Sequence, residues 1–438
     1  MDPSKFKTMK YIFILYFITT LSSLWGQNTI FHSWEELYQF VQTQSVVEKV
    51  GNKQLELAEL TEQAAVANIF NPRIPLTGSA INNTNLPVNF IPGEAFGGPA
   101  GSFREITLGQ QYITSFTAAP QFDIINVAKW QDVKTAKANT DLVKSEIAVN
   151  KKKLLEQANG LYCNILMYQQ QEKIAIRFVQ MADSLVTILK NKNQQGLARI
   201  QELNDAQVNW LQQQNLLRSV QSALANQLRS LSAICQKEVG VESGNVAMVW
   251  EDKAISMGDA ELKKAMMQYQ YAVLNQRSAF YDQLPVLAFQ SSLAYQNNSN
   301  LKWADPNNRW IYSSFIGMKL TWDFPTNAVK YTNVRSRKIN AEMLALQLDE
   351  EKRNTIIRNQ QASADYQKAL EDYKSAIEIL NLDRNSYFHS KELFDKDVMS
   401  LYQFLQVQKK VLSSEMDCAN AQVNIIFQKN KISINNAD

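Results

Sequence analysis

The chain has 438 residues, enough for two or three domains or one large repetitive architecture. Its 45 Lys plus Arg against 42 Asp plus Glu leave a net charge of +3, which supplies neither the basic footprint of a nucleic-acid binder nor an acidic solvating tail. Two histidines, His32 and His389, and three scattered cysteines, Cys163, Cys235 and Cys418, bring together no metal cluster, no Cys-His pair and no Ser-His-Asp set in the sequence.

Lys5, Lys7 and Lys10 precede the apolar run Tyr11 to Ile18, and a small residue, Gly26, follows. That order marks residues 1–26 as a secretory signal peptide. The apolar core is shorter than the ~20 residues a spanning helix needs. Gln27 and not Cys comes next, so no lipid-modified cysteine is expected. Beyond the leader no stretch approaches ~18 consecutive apolar residues, so membrane insertion must come from strands.

Residues 27–240 read as one structural repeat. Trp34, Leu37, Val41, Leu55, Leu57, Leu60 and Ala64 predict a helix over 34–70, stopped at Asn71-Pro72. Over 73–124 the period becomes two: Thr107, Gly109, Gln111, Ile113, Ser115 and Thr117 alternate with Ile106, Leu108, Tyr112, Phe116 and Phe122, a strand hairpin around a Gly-, Pro- and Asn-rich loop at 82–105. A long helical hairpin follows over 126–236. In it Ile147, Leu154, Ala158, Leu161, Ile165, Tyr168, Ala175, Val179, Ala182, Val186 and Leu189 fall on alternating steps of three and four broken only by Lys151 and Glu172, the pattern of a left-handed coiled coil. After the polar break at Asn191 to Gly196, Leu203, Trp210, Leu217, Leu224 and Leu231 carry the return helix.

Past a middle segment at 241–257, residues 258–438 repeat the plan. A helix over 258–282 ends before Pro285, a strand hairpin spans 285–325 with a loop at 297–309, and a second long helical hairpin spans 326–432. Its last strand is the clearest: Trp310, Tyr312, Ile316, Met318, Leu320, Trp322 and Phe324 alternate with Ser313, Gly317, Lys319, Thr321 and Asp323. The aromatics at both ends match the girdles of a strand that crosses a bilayer in ~9–11 residues. Phe122-Asp123 and Trp322-Asp323 lie 200 positions apart and Gln207 and Gln408 lie 201 apart, which points to an internal duplication. The fold class is thus mainly α with a transmembrane β-barrel. Each first helix of a hairpin, roughly 65 residues long, spans on the order of 100 Å, and four strands per chain are too few to close a barrel, which needs ~8 or more. The chain must oligomerise.

The order signal, helix, strand hairpin, long helical hairpin, middle segment, then the same again resembles the TolC-like outer membrane efflux protein family over about residues 30 to 432. The resemblance is carried by Asn71-Pro72 and Leu284-Pro285, by Ala119-Pro120-Gln121-Phe122 and Thr321-Trp322-Asp323-Phe324-Pro325, and by the turn Gly196-Leu197-Ala198-Arg199-Ile200-Gln201-Glu202-Leu203. It implies a homotrimer whose twelve strands form one outer-membrane barrel continuous with a long periplasmic α-helical barrel, the segment at 241–257 joining an equatorial belt. It further implies partners: a periplasmic adaptor (membrane fusion) protein, an inner-membrane RND or ABC transporter, and outer-membrane lipid. By position, Gly196, Arg199, Gln201, Glu202, Ser400, Tyr402, Gln403 and Gln406 would form the periplasmic aperture and adaptor-docking tips, and Lys319, Asp323 and Asp123 would face the barrel lumen. The second turn departs from the family pattern. Asp397 stands where glycine is usual, and Gln403 and Gln406 stand where family members can carry aspartates, so closure is expected to rest on hydrogen bonds with Tyr402 and Phe404 and less on charge.

The implied function is an exit duct of a tripartite efflux or type I secretion system, conducting passively, with no catalytic residue, metal or cofactor of its own. No Gly-x-x-x-x-Gly-Lys loop is present. The competing reading is a secreted or surface coiled-coil structural protein with no transport role.

Overall fold

The computed structural model describes residues 29–242, 259–324 and 328–436. The expected leader, and all but Val241 and Glu242 of the expected 241–257 segment, lie outside the described residues. In chain order the elements are β1 (Thr29–Phe31), α1 (Trp34–Gln44), α2 (Val46–Ala67), β2 (Leu76–Asn82), β3 (Val88–Pro92), β4 (Phe103–Thr107), β5 (Tyr112–Ala118), β6 (Gln121–Ile125), α3 (Val127–Gln194), α4 (Ile200–Cys235), β7 (Val239–Val241), α5 (Ala260–Tyr281), β8 (Val286–Ser299), β9 (Ile311–Thr321), α6 (Ala328–Asp395) and α7 (Leu401–Asn435). They fall into two compact units. The first holds the chain up to Gln54, Lys144–Ala265 and Leu348 onward; the second holds Leu55–Val143 and Met266–Gln347.

In the first unit the only described strands are the parallel pair β1 and β7. Trp34, Leu37 and Val41 of α1 pack with Leu155, Ala158 and Ile165 of α3, Leu231 of α4 and Val423 of α7 in one apolar cluster. The heptad positions Ala158, Ile165, Ala175, Ala182 and Leu189 are buried as their spacing predicts, and so are Leu155, Tyr162, Leu166, Ile174, Phe178 and Leu185 beside them. That stripe is wider than a coiled-coil seam because α3 is covered by both α4 and α7. By contrast, the buried apolar residues of α6 here are Ala362, Ala369 and Leu380 alone. The helix predicted over 34–70 is two helices. Ser45 is extended (φ −65°, ψ 155°), and its hydroxyl accepts the Glu48 N–H at 3.2 Å, capping α2.

The second unit is built on an antiparallel sheet in the order β2–β5–β8–β6, with β9 on the free side of β8. The strand hairpin predicted over 73–124 is subdivided. Its second strand breaks into β5 and β6 at Ala119-Pro120, since proline has no N–H to give the ladder. The two pieces still form one path, because β8 pairs β5 through Leu293–Ser299 and β6 through Leu287–Gln290. The loop at 82–105 also folds, adding the separate antiparallel pair β3–β4. The bridge between Arg73 and Gln121 carries the β2 path alongside β6. The result is four strand paths whose outer edges, those of β2 and β9, have no partner among the described strands.

Gly51 is required by contact. Gly51 lies within α2, where glycine costs about 1 kcal/mol against alanine, yet a Cβ there would stand 2.9 Å from Ile147 Cγ2 on α3. Gly51→Leu is expected to destabilise the folded chain by about 1–3 kcal/mol through overpacking, read as a lower denaturation midpoint in detergent. Adding Ile147→Ala should recover part of the loss.

Candidate functional site

Two surfaces gather the residues singled out by the sequence. The first is the sheet of the second unit. Register places Asp123 beside Ala288 and Lys319 in one cross-strand row, Gln121 beside Gln290 and Gly317 in the next, and Thr117 beside Ala294 and Ser313 further along. Ser79 and Ser115 hydroxyls hydrogen-bond across the β2–β5 pair at 2.7 Å. One face is therefore largely small and polar, although Phe315 and Ile311 of β9, Ile113 of β5 and Ile81 of β2 also lie on it. The other is aromatic: Phe122 stacks on Phe289 at 4.8 Å, Trp310 stacks on Phe116 at 6.0 Å and on Tyr295 at 5.7 Å, and Trp322 meets Phe324 edge-on at 4.9 Å.

Ile316, Met318 and Leu320 lie between these aromatic groups, each more than two-thirds exposed. From Tyr312 to Trp322 is ten residues, about 33 Å along the strand. Tilted by about 40°, that length stands about 25 Å tall, the height of the apolar band of an outer-membrane barrel. No helix among the described residues is long and apolar enough to cross a membrane.

The three charged residues expected on the polar face differ in their surroundings. Lys319 is exposed. Asp123 is buried and accepts from Asn126 Nδ2 at 2.8 Å, while Asn126 Oδ1 accepts the Lys129 N–H at 3.3 Å, so this pair serves to start α3. Asp323 stands just past β9, and its carbonyl accepts from Lys330 Nζ at 2.9 Å.

The second surface is the pair of helix turns in the first unit. Gly196 (φ 75°) and Asp397 (φ 56°) occupy the left-handed position after α3 and α6. Around each, the same two backbone bonds close the helix: Gly196 N–H to Asn193 O and Leu197 N–H to Lys192 O, then Asp397 N–H to Phe394 O and Val398 N–H to Leu393 O. Lys192 Nζ lies 2.7 Å from Asp397 Oδ1 and ties the two turns together. The next helices start alike. Glu202 Oε2 accepts the Arg199 N–H at 3.0 Å. Ser400 Oγ accepts the Gln403 N–H at 3.4 Å, and Gln403 Oε1 accepts back from Ser400 N at 3.3 Å, a full capping box.

These caps change what the expected aperture residues can do. Glu202, Ser400 and Gln403 are held in local bonds, whereas Gln201, Tyr402 and Gln406 are exposed. Phe404, expected to help close the opening, is instead buried: its ring stacks on Phe394 at 4.7 Å and on Tyr387 at 5.8 Å. A position three residues into an amphipathic helix fell on the core side, which the local sequence does not reveal.

Sequence reading also passed over a charged clamp deeper in the helices. Glu415 of α7, 6% exposed, accepts from Arg177 of α3 and from Arg384 Nη2 of α6 at 2.9 Å. Lys410 Nζ meets the buried Asp383 at 2.9 Å one turn away. Charges spaced along three different helices carry no signal of this meeting in one dimension.

A sheet with a bilayer-height apolar face and a polar reverse, carried on paired helices of 68 residues, defines the fold class of outer-membrane channels. Solved structures agree with that class. The chain is similar to the outer membrane protein VceC from Vibrio cholerae (TM-score 0.75, 12% identity, 91% of this chain and 94% of that one). It is similar to the outer-membrane channel OprN (TM-score 0.74, 13% identity, 92% and 90%) and to the CmeC outer membrane channel of Campylobacter jejuni (TM-score 0.69, 14% identity, 92% and 84%). This is the fold implied by the sequence motifs. No protein-family model matches the sequence, and no curated protein matches it.

Four variants probe the turns and the clamp. Asp397→Gly should stabilise by about 0.5–1 kcal/mol, because relief of a left-handed non-glycine backbone outweighs an exposed ion pair; Asp397→Val should destabilise by more than about 1 kcal/mol. Arg177→Ala with Arg384→Ala strands a buried carboxylate and should cost about 3–5 kcal/mol. Glu415→Gln should cost less, about 1–2 kcal/mol, because both arginines reach water. Chemical denaturation in detergent ranks all four.

Proposed function

We propose that this chain is the outer-membrane exit duct of a tripartite efflux or type I secretion system, extending into the periplasm and conducting substrate passively from a pump assembly to the exterior. The observation that carries the reading is the sheet: a bilayer-height apolar face, a small polar reverse face and two open edges.

Those edges support assembly. Four antiparallel paths are an even number, so β9 of one copy meets β2 of the next antiparallel, and any number of copies closes consistently. Two copies would give eight strands, whose interior must be filled by side chains. Along most of the face Ala288, Gly317, Ser313, Thr117 and Ala294 are too small to fill it, and the large residues Phe315, Ile311, Ile113 and Ile81 occupy only part of its length. A homotrimer with twelve strands leaves a water-filled lumen, lined by Lys319 and Asp323, with Asp123 on the same face but buried against Asn126. The matching 68-residue helices, α6 beginning 201 residues after α3, and α7 beginning 201 after α4, support an internal duplication as the origin of the two halves.

The helix turns form the periplasmic aperture and the docking tips for a periplasmic adaptor, with an inner-membrane RND or ABC transporter supplying the energy. Gly196 and Ser400 shape the turns, Glu202 and Gln403 cap the helices, and Arg199, Gln201, Tyr402 and Gln406 face the opening. No catalytic step is assigned to the chain. The test is a fractionation followed by conductance in a planar bilayer. The duct reading expects a detergent-extracted outer-membrane oligomer with discrete channel openings, little cation preference in the native chain, and a shift toward cations in Gln403→Asp/Gln406→Asp. A soluble or peripheral protein without openings would overturn the duct, and strong native cation selectivity that disappears in Gln403→Ala/Gln406→Ala would overturn the uncharged aperture.

A further inference from the structure

β8 leaves α5 at Val286 and β9 leads into α6 after Thr321, so the loop that joins them, residues 300–310, stands at the far end of the sheet from those helices. There the aromatic face changes character. By alternation Asn297 and Ser299 lie on the same face of β8 as Tyr295, and Thr114 of β5 pairs with Asn297. Polar side chains thus occupy the lipid side of the sheet, yet Asn297, Ser299 and Thr114 are only 1%, 1% and 8% exposed.

The loop covers them. Asp305, itself buried, accepts from Ser299 Oγ at 2.9 Å, and Asn297 Nδ2 donates to the carbonyls of Asp305 and Asn308, both at 3.0 Å. The Ala304 N–H donates to Thr114 Oγ1 at 3.0 Å, and Trp303 Nε1 reaches past β5 to the Ile81 carbonyl of β2 at 3.3 Å. The loop is therefore pinned onto the outer side of three strands and puts its own surface toward the surroundings. That surface is aromatic and basic. Trp303 meets Tyr112 edge-on at 5.4 Å, while Trp310 stacks on Phe116 and Tyr295. A cation precedes each tryptophan, Lys302 and Arg309, and both are exposed with no ion pair among the described residues. The Asp305 carboxylate between them in sequence is turned inward, onto Ser299 Oγ and the Asn307 N–H.

We infer that the β8–β9 loop is a binding site for the phosphorylated headgroup of an outer-leaflet glycolipid of the lipopolysaccharide type, with Lys302 and Arg309 pairing with its acidic groups and Trp303 and Trp310 lying against it. This rests on the duct proposed above, which puts the helices in the periplasm and this end of the apolar face at the outer leaflet. Charge complementarity selects the occupant: two cations without partners stand beside tryptophans at the height where a bilayer changes from chains to headgroups. The tryptophans are seated on Tyr112 and Phe116, four residues and about 13 Å apart along β5, which suits a broad sugar headgroup bearing more than one anion. The guanidinium offers a phosphate two parallel N–H donors, and the ammonium adds a point charge. Because the loop is already held by the sheet, binding does not have to order it.

The test uses the full-length chain, purified as an oligomer in an uncharged detergent and titrated with bisphosphoryl lipid A, its dephosphorylated form or phosphatidylglycerol, bound lipid being counted by native mass spectrometry. Bisphosphoryl lipid A is expected to bind about thirtyfold more tightly than the dephosphorylated form, with about fivefold lost in Lys302→Ala or Arg309→Ala and about thirtyfold in the double variant. Lys302→Arg with Arg309→Lys should keep most of the affinity, and all variants should keep the native oligomer by size exclusion. Equal binding of the two lipid A forms, or a double alanine variant that binds as the native chain does, overturns the site and leaves the duct standing. Phosphatidylglycerol held as tightly through the same two residues overturns the glycolipid as occupant. A chain that fractionates as a soluble protein overturns the duct and this site with it.

Discussion

The backbone of an edge strand is the constraint on which the rest of this structure depends. Four strand paths present an apolar face about 25 Å tall, and the N–H and C=O groups along the outer edges of β2 and β9 have no partner among the described strands. In water such edges are a tolerable liability; in hydrocarbon each unpaired group costs several kcal/mol. A single chain of this design is therefore incomplete in lipid. Copies that join edge to edge remove the cost and enclose the small polar face, and both requirements are met by the same closure.

The helices pose the same problem in a different currency. A helix of 68 residues, on the order of 100 Å long, owes little of its stability to propensity and depends on lateral cover. α3 and α7 find that cover on two sides within the chain, and a carboxylate held between two arginines fixes where they and α6 meet. On α4 and α6 the large apolar side chains of Leu211, Ile356 and Ile379 are exposed.

At the turns, the two halves solve one geometric problem with different residues. The chain must enter the left-handed region to end α3 and α6, which glycine does freely and aspartate does at a cost. Asp397 offsets part of that cost through Lys192. Glu202, Ser400 and Gln403, which begin α4 and α7, spend their polar groups on caps, while Gln201, Tyr402 and Gln406 stay exposed.

Much of the architecture was legible in one dimension because it is periodic. A period of two over residues 311–321, a spacing of three and four along α3, prolines where helix becomes strand, and an offset of 201 between halves are all local or self-referential patterns, and they determined element types, order and the outer-membrane channel fold. What tertiary structure decided is which neighbour covers each face. Ser45 splits a helix by capping the next one, and Pro120 divides a strand path that β8 rejoins. The turn at α7 sends Phe404 inward against Phe394, and Glu415 meets Arg177 from 238 residues away. Periodicity reports that a face is apolar; only packing between distant segments determines what lies against it.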